Sequence, residues 1–458
     1  MSPAIPTTGT IPVSRASWDE RENRPQTLSL RAGTLWGVAG SVFQAICQWA
    51  ILSAIAKIGT AEMVGQFALG LAMSAPVFIL AQMNLRAVQA TDARHEFSFG
   101  QYLRLRIVMV GVALIVVVIL ASLTGYRADT KAIICIIALS KAIESMSDIV
   151  HGLCQQRERL DLVAYAVFGR GLGNLFLVVS VLLLTKSIVA ATIAMMVWWL
   201  IWFLTYERGL VGQILGKVLE RRPPVPGPGW LGLWRLAKTS LPLGIAATLI
   251  SLNSNVPRYF VQHYLGEEAL GYFAAMAYIA IAGTVSVDAI GQAAAPSLAR
   301  LYLRERRDYI QLTFKLVGLV ACLGFTALVI VRVAGGDLLA FLYRPEYARY
   351  SSVFVWIVAA GALRGVACIL GFALTAARSL KSQVSIQVVA LACNAALCWL
   401  LIPNWGLQGS AFAVLGAALI ASLGAGVVSF PIAARRAKDN LGPLVMCGGR
   451  ALPRSMCD

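Results

Sequence analysis

Long apolar runs separated by short polar segments fill the sequence from about residue 34 to residue 433. A helix that crosses a bilayer needs about 20 predominantly apolar residues. The pattern predicts twelve such helices, at residues 34–57, 62–84, 104–124, 131–154, 162–184, 187–206, 236–257, 269–292, 309–332, 352–377, 383–402 and 409–433. The sequence therefore predicts an all-α, polytopic membrane protein.

One of these runs, residues 131–154, carries a regular series of ionisable side chains. Lys141, Glu144, Asp148 and His151 recur at spacings of 3, 4 and 3 residues, which places them on one face of an α-helix. A charge in hydrocarbon costs roughly 2.5–3.5 kcal/mol on insertion scales. We expect this charged stripe to face an enclosed space, and that space to be where the protein works.

Lysine and arginine are distributed unevenly between the predicted loops. The tails and the even-numbered loops carry 28 of the 39 basic residues, the odd-numbered loops carry 8, and 3 lie inside spans. This asymmetry predicts cytoplasmic termini and a multi-pass protein of the cell inner membrane. It also explains the net charge of +17 through topology and anionic membrane lipids, so nucleic acid is not an expected partner.

Composition narrows the classes of function. Charged residues make up 13% of the chain, against about 25% in soluble domains. The nine cysteines include no C-x-x-C pair, the three histidines lie in different segments, and no G-x-x-x-x-G-K-[ST] loop is present. We therefore expect no disulfide, metal site, cofactor or nucleotide-driven pumping, and no enzymatic activity.

The chain divides into two similar halves. Residues 221–229, RRPPVPGPG, have the composition of a linker, and residues 58–76 resemble residues 265–283. In both copies a glycine ends one helix and a second glycine precedes a small-residue face, at Gly59 and Gly65 and at Gly266 and Gly271. Six spans per half make the repeats parallel. The predicted units are a tail at 1–33, lobes at 34–212 and 236–433, a cytoplasmic linker at 213–235 and a tail at 434–458.

Polar residues within the spans are the candidates for function. Arg364 lies near the middle of the tenth helix with no acid at its depth, and Lys141 is its counterpart in the first half. Two such cations, one from each half, suit a phosphate or diphosphate group. Arg170 lies at a depth similar to that of Glu144, so the two could instead form a structural ion pair.

Other polar groups allow two interpretations. Pro257 is expected to end the seventh helix, which puts Asn255 and Arg258 near the outer mouth. Arg258 could contact substrate there, or extend its charge to the interface beside Tyr259. Gln44 and Gln48, one turn apart in the first helix, could bind sugar hydroxyls or bridge helices.

Three segments carry a family resemblance: LGLAMSAPVFILAQMNLRAVQATDA at 69–93, SLNSNVPRYFVQHYLGEEALGYFAAMAYI at 251–279, and FLYRPEYARYSSVFVWI at 341–357. They resemble the polysaccharide and O-antigen flippase branch of the multidrug/oligosaccharidyl-lipid/polysaccharide exporter superfamily. The resemblance covers about residues 30–435. It implies two six-helix bundles that form a V around a central cavity.

The resemblance also implies an activity. Members of the branch move an undecaprenyl-diphosphate-linked oligosaccharide to the periplasmic leaflet by alternating access, often coupled to an ion gradient. By their depth, Lys141, Arg170, Arg364 and Arg258 could supply the cations of the cavity. The candidates for ion coupling are Glu144, Asp148 and Asp288. A polysaccharide polymerase and export machinery are possible partners.

Three alternatives stay open at this point. A multidrug cation antiporter of the same superfamily would need a mid-membrane acid cluster without adjacent lysine or arginine, whereas Lys141 and Arg364 occupy that depth. A polysaccharide polymerase or ligase tends to present a large external loop, and the largest here is about 19 residues, at 333–351. A passive channel or a membrane scaffold is the third alternative. Transport of an anionic substrate fits these residues better than any of the three alternatives.

Overall fold

The computed structural model describes residues 30–92, 96–219, 229–377, 379–439, 444–447 and 450–453, and it is almost entirely helical. The helices are α1 (Leu30–Ile58), α2 (Ala61–Gln82), α3 (Leu85–Thr91), α4 (Phe99–Leu123), α5 (Ala128–Gln156), α6 (Leu160–Thr185), α7 (Ile188–Trp202), α8 (Arg208–Leu219), α9 (Gly229–Arg304), α10 (Arg306–Leu342), α11 (Ser351–Ala376) and α12 (Leu380–Asp439). A π-helix, Phe203–Glu207, joins α7 to α8, and a 3-10 helix, Pro345–Tyr350, precedes α11. Two antiparallel strands, β1 (Leu444–Cys447) and β2 (Arg450–Pro453), follow α12. The predicted all-α architecture is confirmed for the apolar part of the chain.

Nine segments of the described chain are long and apolar enough to cross a membrane. Two of them, Gly229–Leu303 and Ser382–Ser429, have 75 and 48 residues, which is enough for more than one crossing each. Helix α5, with the charged stripe, is not among the nine. The predicted number of twelve spans and the predicted lobe boundaries therefore stay predictions. Residues 220–228, in the middle of the predicted linker, lie outside the described part.

Glycines divide the two longest helices. Helix α9 is kinked at Gly266, with φ 85° and ψ −176°, and α12 is kinked at Gly406, with φ 56° and ψ −135°. Residues with a Cβ rarely adopt such angles. At the second kink the chain folds back on itself, because Gly409 lies against the backbone of Leu401 and Ile402. Each kink thus separates two segments of spanning length.

The prediction that Pro257 ends a helix is wrong, since α9 continues through it to Gly266. Proline has no N–H, so the carbonyl of the residue four positions earlier loses its helical donor. Here that residue is Asn253, and the Asn394 side chain donates to its carbonyl oxygen at 2.8 Å. A side chain from α12 therefore replaces the missing backbone bond, which lets the helix pass the proline.

At Pro76, inside α2, a side chain again supplies the missing hydrogen-bond donor, and there the bond joins the two halves of the chain. Pro76 leaves the carbonyl of Ala72 without its helical donor. The hydroxyl of Tyr259, from α9, donates to this oxygen. Helices α2 and α9 lie against each other over a long distance, since Gly244 packs against Met83 beyond the end of α2.

Two glycines bring the halves closest together. A Cβ added to Gly65 would overlap the carbonyl oxygen of Glu267, and one added to Gly271 would overlap the carbonyl oxygen of Ala61. The same offset of 206 residues relates Ala61 to Glu267 and Gly65 to Gly271. The contact is therefore reciprocal, as two parallel repeats around a two-fold axis require, and it supports the predicted repeat.

Polar bonds reinforce this contact, which we call the outer seal (Ala61, Gly65, Gln66, Thr130, Glu267 and Gly271). The Gln66 amide donates to one carboxylate oxygen of Glu267 at 2.9 Å, and the Thr130 hydroxyl donates to the other. Nearby, the Ser53 hydroxyl donates to the Leu342 carbonyl at 2.8 Å. The seal closes the end of the molecule at which the odd-numbered loops lie.

Replacing Gly65 with alanine should open the outer seal. The new methyl group needs about 3.5 Å from the Glu267 carbonyl oxygen, so the two helices have to move apart. Double electron–electron resonance between spin labels at Asp129 and Glu346, on either side of the seal, should show a longer distance than in the parent protein. Gly111→Ala is the matched control, because nothing lies within 4 Å of a Cβ at that position. An unchanged distance in Gly65→Ala would contradict the seal.

Candidate functional site

The charged stripe faces a cavity of about 250 Å³, which we call the first-lobe cavity. It is lined by Gln44, Ala75, Phe78, Ile79, Gln82, Arg86, Lys141, Glu144, Asp148, His151, Val167 and Arg170. All four members of the stripe line it, together with two further residues that the sequence singled out, Gln44 and Arg170. Its walls come from α1, α2, α3, α5 and α6, so it lies within the first half of the chain. Arg364 and Arg258 are not among its lining residues.

Glu144 pairs with Lys141 and not with Arg170. The Lys141 Nζ atom lies 2.6 Å from Glu144 Oε2, and the two residues are one turn apart on α5. A pair at this spacing forms within one helix, so no second helix has to be held in place to neutralise Glu144. Lys141 was expected to be a free cation, but in the described structure it forms an ion pair with Glu144.

Asp148 forms ion pairs with two arginines, one from α4 and one from α3. Arg106 Nη2, from α4, donates to Asp148 Oδ2 at 2.9 Å, and Arg86 Nη1, from α3, lies 3.6 Å from Oδ1. The Arg106 side chain is completely buried, so its charge depends on this carboxylate. Asp148 therefore joins three helices on the inner side of the cavity.

Arg170 is the cation that remains without a carboxylate. It is 7% exposed, its guanidinium stacks 5.1 Å from the Trp199 ring, and its Nη1 atom has no hydrogen-bond partner in the described part of the chain. Among the described residues no carboxylate lies within 4.0 Å of it. The charges of Glu144 and Glu207 act on it only from a greater distance. The wall of the cavity thus contains one guanidinium that no described carboxylate neutralises.

Glycines in α6 fix the position of Arg170. Gly169 and Gly173 leave room for the rings of Trp202 and Trp198, which lie directly on the α6 backbone. The Trp198 indole N–H donates to the Arg170 carbonyl oxygen at 3.1 Å. Because α7 packs closely on this face of α6, the Arg170 side chain lies between the helices of the first lobe, at the cavity.

A second pair of cations lies in the other half. Arg258 is 7% exposed, donates to Asn255 Oδ1 at 2.8 Å, and lies 5.4 Å from the Tyr278 ring. Of the two interpretations of Arg258, the one that extends its charge to the interface is wrong, because α9 continues past Pro257 and the side chain is buried. Arg364 donates to the Ser254 hydroxyl and is close enough to Arg258 for their charges to repel.

The remaining candidates have different surroundings. Gln44 lines the first-lobe cavity, whereas Gln48 is exposed and lies outside it. Asp288 is exposed and accepts a hydrogen bond from the Cys368 thiol at 2.9 Å. Among the described residues, no group of three or more His, Cys, Asp or Glu side chains could hold a metal ion.

Two residues that complete the site were not identified from the sequence. Arg106 lies at the start of the third predicted span, 104–124, and the structure places it two turns inside α4. Glu207 was assigned to the loop after the sixth span, yet it is completely buried in the π-helix, 3.4 Å from His151. It ends an aromatic-rich run, WWLIWFLTYE at 198–207, and that position was the available signal.

No protein-family model matches the chain. It is 24% identical over 376 residues to the capsular polysaccharide biosynthesis protein CapF of Staphylococcus aureus, which covers 82% of this chain and 92% of CapF. Among solved structures, the lipid II flippase MurJ in an inward closed conformation matches with a TM-score of 0.66 at 12% identity, over 86% of this chain and 87% of MurJ. A MATE transporter in complex with MaL6 matches with a TM-score of 0.59 at 12% identity, over 88% of this chain and 96% of that one.

The chain has the fold of the multidrug/oligosaccharidyl-lipid/polysaccharide exporter superfamily. The resemblance seen in the sequence is confirmed at the level of the fold. The matched proteins themselves are named as a transporter, a flippase and a polysaccharide biosynthesis protein.

Replacing Asp148 with asparagine should destabilise the first lobe. The change leaves the buried Arg106 charge without its carboxylate, at a cost of about 3–5 kcal/mol in the free energy of unfolding. Unfolding of the purified protein by titration with SDS measures this cost. The exposed Asp129→Asn variant is the control and should change stability by less than about 0.5 kcal/mol. In Asp148→Asn/Arg106→Met the loss should be partly recovered, and purely additive effects would argue against the pair.

Proposed function

We propose that the protein moves an undecaprenyl-diphosphate-linked oligosaccharide from the cytoplasmic to the periplasmic leaflet of the inner membrane, for the synthesis of an O-antigen, capsule or exopolysaccharide. The observation that carries this proposal is the guanidinium of Arg170, free of carboxylates at the wall of the first-lobe cavity. A guanidinium matches the geometry of phosphate oxygens and forms paired, charge-assisted hydrogen bonds with them. The similarity to a capsular polysaccharide biosynthesis protein supports the glycan.

The charge balance of the cavity favours an anion over a cation. Its two lining carboxylates are both engaged, Glu144 by Lys141 and Asp148 by Arg106 and Arg86. An organic cation would have to displace one of these internal partners, whereas a diphosphate meets Arg170 without competition. The MATE-like fold keeps a multidrug cation antiporter as the alternative outcome of the test.

The second-half arginines, Arg258 and Arg364, are the proposed contacts for the same anion in a later state. Neither has a carboxylate within 4.0 Å among the described residues, and Asn255 holds the first of them in place. Lys141 would join the substrate site once an anion replaces Glu144 as its partner. Gln44, at the cavity wall, and Gln48, on the same helix, are proposed to contact sugar hydroxyls.

The outer seal supports alternating access as the proposed mechanism. The seal closes the end predicted to face the periplasm, and the cavity is bordered toward the opposite end by Arg86, whose side chain is about one-third exposed. We take this as the inward-facing state, with both termini in the cytoplasm. Glu144, Asp148 and Asp288 remain proposed coupling residues, and a polymerase and export machinery remain proposed partners.

Replacing Arg170 with glutamine should slow translocation. Loss of one charge-assisted hydrogen-bonding group removes about 1.5–3 kcal/mol, which is roughly a ten- to hundredfold loss of affinity. The assay uses proteoliposomes with a fluorescent polyprenyl-diphosphate oligosaccharide, whose arrival in the outer leaflet is read by chemical quenching. Arg364→Gln should show a loss of the same order.

The matched control is Arg127→Gln, since Arg127 is 65% exposed beside the outer seal. It should translocate at the parental rate. Parental rates in both Arg170→Gln and Arg364→Gln would overturn the anion site. Efflux of organic cations by the parent protein, with no movement of the glycolipid, would establish the multidrug alternative instead.

A further inference from the structure

The first three turns of α9 present two different faces. One face packs on the start of α4, through Leu233 and Leu236, in a single apolar cluster. The other face carries Trp230, Trp234 and Lys238 at intervals of four residues, which forms one stripe along the helix. The two tryptophans are 78% and 64% exposed, and the lysine is exposed as well. This stripe therefore faces the surroundings of the protein.

The contact between α4 and α9 brings two arginines to the same level. The Gln101 side chain lies against Gly232, within the first turn of both helices, so α4 and α9 begin side by side. Arg104 follows Gln101 by three residues on α4. Arg235 follows Gly232 by three residues on α9. One turn beyond the contact, each half of the chain thus presents one exposed guanidinium.

These cations are only partly neutralised. Glu96 Oε2 lies 3.6 Å from Arg235 Nη2, and the Glu96 side chain is 48% exposed, so water weakens this pair. Among the described residues, no carboxylate lies within 4.0 Å of Arg104 or Lys238. Three cations and one carboxylate leave a net charge of +2. We call this surface the inner patch (Arg104, Trp230, Trp234, Arg235 and Lys238).

The depth of the inner patch indicates the partner that it fits. Arg104 and Arg235 lie at the start of the predicted spans 104–124 and 236–257, at the end predicted to face the cytoplasm. Tryptophan together with basic side chains is typical of the membrane–water interface, where indole rings lie at the level of the lipid headgroups. The phosphates of anionic phospholipids lie at the same level in the cytoplasmic leaflet. A small soluble anion would make no use of the two indoles.

We infer that the inner patch binds one anionic phospholipid, of the phosphatidylglycerol type, whose phosphate bridges Arg104 and Arg235. Lys238 adds a third positive charge, and the indoles of Trp230 and Trp234 pack on the glycerol and the acyl chains. Because the two arginines belong to different halves, the bound lipid links the halves at the inner end, opposite the outer seal. None of these residues lines the first-lobe cavity, so the site does not rest on the proposed function.

Native mass spectrometry of the purified, full-length protein tests the site, with phosphatidylglycerol and phosphatidylcholine as probes. The parent should retain one phosphatidylglycerol more tightly than any phosphatidylcholine. Arg104→Gln and Arg235→Gln should each weaken this lipid about fivefold, and the double variant about 25-fold, with the same single lipid affected in all three. Arg300→Gln is the matched control, because it removes an exposed arginine near the other end of α9, and it should retain the parental affinity.

A fourth variant acts in the opposite direction. Glu96→Gln removes the carboxylate that competes for Arg235, so it should bind phosphatidylglycerol more tightly than the parent, which a loss of folding could not produce. Equal retention of the two lipids by the parent would overturn the site and leave the stripe to a protein partner. Parental affinity in both arginine variants would overturn it as well. Loss of two separate lipids, one in each arginine variant, would refute the bridge between the halves.

Discussion

A charge inside a bilayer has to meet a counter-charge within the protein, and the first half of this chain is arranged around that requirement. The charged stripe of α5 presents four ionisable groups on one face. Arg106 from α4, Arg86 from α3 and Glu207 from the π-helix converge on it, while Lys141 and Glu144 neutralise each other locally. Arg170 is what remains after this pairing. The cavity and its positive character are therefore consequences of how one helix is made compatible with the membrane.

Backbone groups follow the same rule as charges. Pro76 and Pro257 each remove a donor from a helix inside the membrane, and in each case a side chain from another helix donates to the freed carbonyl oxygen. At Pro257 that side chain is Asn394 of α12, and at Pro76 it is Tyr259 of the opposite lobe. The proline positions consequently act as specific attachment points between helices.

The sequence predicted the helical architecture, the internal repeat and the cavity-facing stripe, because periodicity and small-residue spacing are local properties of the chain. It did not predict the contacts that depend on which helices, far apart in the sequence, pack against each other. Glu144 pairs with Lys141 and not with Arg170. Arg258 is buried because α9 continues past Pro257, where Asn394 donates to the carbonyl oxygen that the proline leaves without a donor. The aromatic-rich run at 198–207 signals that Glu207 lies next to the membrane, but its burial depends on the packing of α7 onto α5 and α6.

The reciprocal contact of Gly65 and Gly271 has a consequence for divergence of the two halves. Each glycine meets a carbonyl oxygen of the other repeat, not a side chain, so this close approach depends on backbone shape. The side chains that reinforce it differ between the two copies, since Gln66 is matched by Tyr272 at the offset of 206 residues. The first lobe thus carries the charged stripe and the second lobe carries Arg258 and Arg364, while the joint between them keeps its two-fold symmetry.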